Sequence, residues 1–77
     1  MSSQLVVYVL LVTEVGKEHE ILDNLKEIED VSEARVVYGE FDVVCKMTPK
    51  NLRRLDEIVT TIRKTSSIIR TVTLISS

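Results

Sequence analysis

Seventy-seven residues make one domain, residues 1–77, with a formal net charge of −2, 44% hydrophobic residues and only three aromatics. A chain this short buries only about 60% of its unfolded surface. Its single cysteine and single histidine exclude an internal disulfide or a Cys/His metal framework as a staple, which leaves oligomerisation as the remedy.

The first predicted element is a strand over Gln4–Thr13, containing Leu-Val-Val-Tyr-Val-Leu-Leu-Val. Its apolar run of eight residues, Leu5–Val12, is far short of the roughly 20 needed to span a bilayer. It lacks the basic n-region and cleavage site of a signal peptide, and an unpaired cysteine without an export signal points to a reducing cytoplasm. The run is apolar on both parities, as in a strand buried on both faces. In so short a chain the second cover must come from another subunit.

Gly16 breaks the chain before a predicted helix over Lys17–Glu29. Ile21, Leu22, Leu25 and Ile28 form its apolar stripe, and Glu18, Glu20, Asp23, Glu27 and Glu29 its charged face. A second strand follows over Glu33–Tyr38, with Ala34, Val36 and Tyr38 on one parity. A third runs over Phe41–Met47, with Phe41, Val43, Cys45 and Met47 on one side. Gly39-Glu40 between them is the signature of a two-residue type II′ hairpin.

Thr48-Pro49 reads as a helix N-cap and first-turn proline. The helix behind it extends to about Lys64, with Leu52, Leu55, Ile58, Val59 and Ile62 on one stripe. Thr65-Ser66-Ser67 ends it, and a last strand runs over Ile68–Ile75. The order β-α-β-β-α-β with right-handed crossovers predicts an α+β, ferredoxin-like domain. Both helices lie on one face of a four-stranded antiparallel sheet whose first and third strands are central, and the bare face is free to stack against a second sheet.

Charge is distributed unevenly. Residues 1–42 carry ten acidic and three basic side chains, and residues 43–77 two acidic and seven basic. This describes either two solvated helix faces of opposite sign or charge complementarity between subunits. It is not the concentrated basic face of a DNA-binding domain, and no aromatic strand pair of the RNA-recognition kind is present.

Nothing in the sequence assembles a nucleophile, a base and an orienting group. His19 reads as a solvated helix residue and Cys45 as a buried, inert thiol. No catalytic residue, metal or cofactor is expected. The informative constellation is Tyr38-Gly39-Glu40-Phe41-Asp42 with Thr71 and Thr73. Glycine exposes backbone amides to a ligand, the Asp42 carboxylate can pair with an α-ammonium group, and two threonine hydroxyls on one strand can bind a carboxylate or amide. The competing reading is a turn whose aspartate satisfies backbone amides, with threonines chosen for β propensity.

Those residues are familiar as a set. Thr-Glu-Val-Gly-Lys-Glu after the first strand, the hairpin Val-Tyr-Gly-Glu-Phe-Asp, and the ending Ile-Ile-Arg-Thr-Val-Thr-Leu-Ile resemble the effector-binding (RAM) domain of Lrp/AsnC transcription regulators. That family's hairpin reads Gly-Asp/Glu-Tyr/Phe-Asp. The resemblance covers residues 4–76 and implies sheet-to-sheet dimers that assemble into tetramers, octamers or open rings, with amino-acid effectors held between dimers. It implies that Tyr38, Gly39, Glu40, Phe41 and Asp42 frame the effector, and that Thr71 and Thr73 line it from a neighbouring dimer. The family's helix-turn-helix is missing ahead of the first strand. The resemblance therefore implies a sensing and assembly module with no DNA contact of its own, acting by co-assembly with full-length regulators. The alternatives are a structural partner that binds nothing small, and an enzyme of the dimeric α+β barrel type, which requires a polar or histidine-lined cavity between sheet and helices.

Overall fold

The computed structural model describes residues 5–76, so Gln4, at the head of the predicted first strand, lies outside the described residues. Six elements follow in chain order: β1 (Val6–Thr13), α1 (Glu18–Lys26), β2 (Val31–Val36), β3 (Val43–Met47), α2 (Leu52–Arg63) and β4 (Ile68–Ser76). The strands form one sheet in the order β2-β3-β1-β4, with every neighbouring pair antiparallel. This is the α+β ferredoxin-like fold.

Alternation on β1 and β3 decides where the core sits. Val7, Val9, Leu11, Val43, Cys45 and Met47 are almost wholly buried and pack with Ile21 and Leu25 of α1 and Leu55, Ile58 and Ile62 of α2. Both helices therefore cover the same face. The other parity presents Val6, Tyr8, Leu10 and Val12 beside Val44, Val72 and Leu74. Within one subunit these side chains are half-buried or exposed, so the uncovered face of the sheet carries an apolar centre on β1, flanked by Glu33, Arg35, Lys46 and Arg70.

Several boundaries differ from the sequence expectations, each for a tertiary reason. The second helix is capped by Asn51, whose Oδ1 accepts from the Arg54 amide at 2.9 Å, not by Thr48. The Thr48 amide donates to the Asp30 carbonyl, and the helix starts at Leu52, beyond a buried Pro49. Leu52 consequently precedes the first inward-facing position and is exposed. At α1, residues 27–30 leave the helix in a turn, which brings Asp30 within 2.9 Å of the Arg54 guanidinium.

The largest change is at the hairpin. β2 occupies Val31–Val36 and β3 starts only at Val43, and Val36↔Val43 is the last pair of the ladder. One further bond, Val37 N–H to the Asp42 carbonyl at 2.9 Å, closes the turn. Tyr38 to Phe41 are thus a four-residue connection, not strand ends flanking a two-residue turn. The cause is Asp42. Its amide donates to the Leu11 carbonyl and its carboxylate accepts from Thr13, so β1 holds it in place. Gly39 has φ of +126°, a conformation that glycine alone adopts readily.

Candidate functional site

β1 and β2 are each antiparallel to β3 and therefore parallel to each other, so their C-terminal ends share one end of the sheet. The β1–α1 turn and the hairpin turn meet there. Gly16, with φ of +85°, turns the chain from β1 into α1, whose first turn carries Glu18, His19 and Glu20. Between the turns lies a cavity of about 250 Å³ lined by Thr13, Val15, Glu18, His19, Val36, Val37, Tyr38 and Asp42.

Asp42 is the half-buried anchor of this cavity. Its Oδ2 accepts a 2.9 Å hydrogen bond from the Thr13 amide, beside the irregularity between Val12 and Thr13 where β1 slips against β4. Its Oδ1 takes no hydrogen bond from the described residues, which leaves one carboxylate oxygen available. Tyr38 is fully exposed at the rim, as is Val15. The walls are valine. A cavity with two carboxylates, an imidazole, a phenol and aliphatic walls suits a small molecule with a cationic end and an apolar body.

The seven residues singled out in the sequence are only partly gathered here. Tyr38 and Asp42 line the cavity, while Gly39 and Glu40 are exposed in the turn above them. Phe41 is not in the core. It is half-buried with its ring under Arg70, whose guanidinium carbon lies 5.8 Å from the ring centroid. Thr71 and Thr73 pair with Leu11 and Val9, so they point to the helix-covered side of an edge strand, two strands away from Asp42. One subunit does not bring them to the cavity.

His19 is exposed, as its sequence context suggests, yet it also lines the cavity, a role that the sequence did not reveal. The one signal for it is positional: His19 lies in the first helical turn after β1, at the end of the sheet where the hairpin returns. No hydrogen bond joins it to a nucleophile or carboxylate among the described residues. Those residues also hold no group of three or more His, Cys, Asp or Glu side chains close enough for a metal ion. Between the two helices lies a groove of about 280 Å³ walled by Ile21, Leu25, Ile28, Ile62 and Ile68 and rimmed by Asn24, Glu27, Thr61 and Thr65. Its walls are apolar and its rim polar, and no histidine lines it. Burial raises the Cys45 thiol pKa to about 11, which keeps it protonated at neutral pH. No helix among the described residues is long and apolar enough to cross a membrane.

Comparison with known proteins converges on one family. The family profile described as "Lrp/AsnC ligand binding domain" matches residues 6–77. The solved structure of FFRP-DM1 is 39% identical over 95% of this chain and 99% of its own, with a TM-score of 0.91. The hypothetical protein PHS023 from Pyrococcus horikoshii is also 39% identical, over 95% of this chain and 89% of its own, with a TM-score of 0.90. The transcriptional regulator NMB0573 from Neisseria meningitidis, solved as an L-Met complex, shares the fold at a TM-score of 0.79 and 10% identity. It is a longer protein, of which this chain covers 49%. No protein of curated function matches the sequence.

Proposed function

The chain belongs to the Lrp/AsnC ligand-binding domain family, and from that premise we propose that it is an amino-acid-binding, self-assembling module of transcription regulation. The observation that carries the ligand is Asp42, a carboxylate fixed by Thr13 through one oxygen in a cavity of amino-acid size. In this reading the free oxygen pairs with the ligand's ammonium group, a charge-assisted contact. The three valines take its side chain, and Tyr38 closes over it. Gly39, Glu40 and Phe41 shape the turn that frames it, and Thr71 and Thr73 reach it from a neighbouring dimer. The L-Met complex of NMB0573 supports the ligand class.

Assembly rests on the bare sheet face. Stacking it on a second copy covers Tyr8, Leu10, Val12, Val44, Val72 and Leu74 at once, and burial contributes roughly 25 cal/mol per Å² of apolar surface. FFRP-DM1 and PHS023, each covered almost end to end by this chain, support a module that works without its own helix-turn-helix. Such a module influences genes by joining full-length regulators, which a pull-down with those regulators tests.

Isothermal calorimetry with a panel of amino acids tests the ligand. Asp42→Asn keeps an acceptor for the Thr13 amide while removing the charge. Binding by the wild type and at least about tenfold weaker binding by Asp42→Asn, with unchanged melting, is the expected result. A wild type that binds no amino acid favours the second reading, a structural partner in which Asp42 only ties the hairpin to β1.

A further inference from the structure

We propose that Glu18 makes the cavity at the end of the sheet selective for aliphatic dications, molecules with an ammonium group at each end, such as a diamino acid or an alkyl diamine. This rests on the ligand site proposed above and names the class of molecule that the site prefers.

Charge on the lining is one-sided. The residues around the cavity include two carboxylates, Glu18 and Asp42, and neither lysine nor arginine. Asp42 gives one oxygen to the Thr13 amide, and its Oδ1 is open to a first ammonium group. Glu18 is half-buried, and its carboxylate enters no hydrogen bond or ion pair among the described residues. A partly desolvated carboxylate without a partner is costly, and an arriving cation relieves that cost through a charge-assisted bond. The two carboxylates come from different turns, Glu18 from the start of α1 and Asp42 from the end of the hairpin. Val15, Val36 and Val37 share the wall with them, so the methylenes of a dication lie on valine while its ends meet carboxylates.

The surroundings favour cations in the same way. Residues 13–20 hold three acidic side chains and one basic, and residues 36–42 two acidic and none basic. A mouth lined by one sign of charge concentrates ligands of the other. The feature best suited to a ligand's carboxylate is the amide-bearing start of a helix, here the first turn of α1, which has no side-chain cap. That turn already carries Glu18 and Glu20, whose charges repel a second anion. Thr71 and Thr73, which the proposed site draws from a neighbouring dimer, are neutral. Each end of a dication therefore has a carboxylate to meet, whereas a molecule with one ammonium group leaves Glu18 unpaired.

Calorimetric titration of the full chain with lysine, cadaverine and norleucine tests this. Cadaverine is lysine without its carboxylate, and norleucine is lysine without its second ammonium group. The expected result is that lysine, cadaverine or both bind at least about fivefold more tightly than norleucine. Glu18→Gln should bring that ratio close to one, and Glu18→Lys should invert it, with circular dichroism unchanged in both. Tight binding of cadaverine but not lysine identifies a diamine as the ligand, which supports the dication and overturns the amino-acid reading. Tight binding of lysine but not cadaverine identifies a diamino acid. Equal affinity for lysine and norleucine with no binding of cadaverine, or a ratio that Glu18→Gln leaves unchanged, overturns the proposal while the amino-acid site stands. A chain that binds none of the three, nor any other amino acid, overturns both.

Discussion

At the scale of single residues, the same side-chain types behave differently according to which backbone they face. Cys45 and Asp42 both sit on β3 or its approach, yet one is sealed and the other is open. Cys45 alternates with Val43 and Met47 in the core, and burial pushes its thiol up to about 11. The folded protein should therefore resist alkylation by iodoacetamide at pH 8, reacting at least about tenfold more slowly than the same chain in denaturant; equal rates would mean that the core opens readily. Asp42 is open because its partner is a backbone amide on a strand that lies 29 residues away in sequence. That contact was not legible in the sequence, since nothing local to Gly39–Asp42 points to Thr13. Residue types alone could therefore name the turn, but they put Tyr38 and Phe41 wrongly in strands and left His19 out of the cavity.

At the scale of elements, period and composition made all six segments legible, because alternation on β3 and the stripes on α1 and α2 are each set by a single buried face. The ends were legible only where the cap is local. Asn51, not Thr48, is the N-cap because its Oδ1 accepts from the Arg54 amide three residues on, while the Thr48 amide closes the corner with the Asp30 carbonyl. The same corner fixes α2 to the α1–β2 turn through Asp30 and Arg54, whose bond lowers the carboxyl pKa from its ordinary 3.8. A carboxyl lowered on folding stabilises the fold fully above its unfolded value, and that contribution is lost as pH falls through its folded value. Asp30→Asn should accordingly melt below the wild type at pH 7, with the difference shrinking as the pH drops below about 4. Parallel melting curves across that range would show that the ion pair does not contribute to stability. The measurement is a set of thermal melts by circular dichroism from pH 7 down to pH 2.

At the scale of the whole molecule, a single sheet is asked to supply two interfaces from one strand. β1 alternates perfectly, sending Val7, Val9 and Leu11 to the helices and Tyr8, Leu10 and Val12 to the bare face. This is why its sequence is apolar throughout, and why the need for a second cover was legible in the order of its amino acids. The candidate site was less legible because Asp42 is held by β1 across the sheet, while Thr71 and Thr73 lie on β4, two strands away from it. The proposed stacked dimer is tested best at Leu10. It lies between Val44 and Val72 in register, at the middle of the bare face, and makes no part of the helix-side core. Leu10→Asp places a charge that the monomer can hydrate but the stacked dimer cannot. An unpaired buried charge costs about 3 kcal/mol or more, and a two-fold dimer buries two of them, a loss of about ten-thousandfold in dimer affinity. Because a chain this short is marginal alone, the released monomer should also melt at a lower temperature and become concentration-independent in its melting. Equilibrium sedimentation at micromolar protein should show monomers, where the wild type shows dimers or larger species. A Leu10→Asp variant that still dimerises with wild-type affinity would place the contact elsewhere, and the double-sided pattern of β1 would then need another cover.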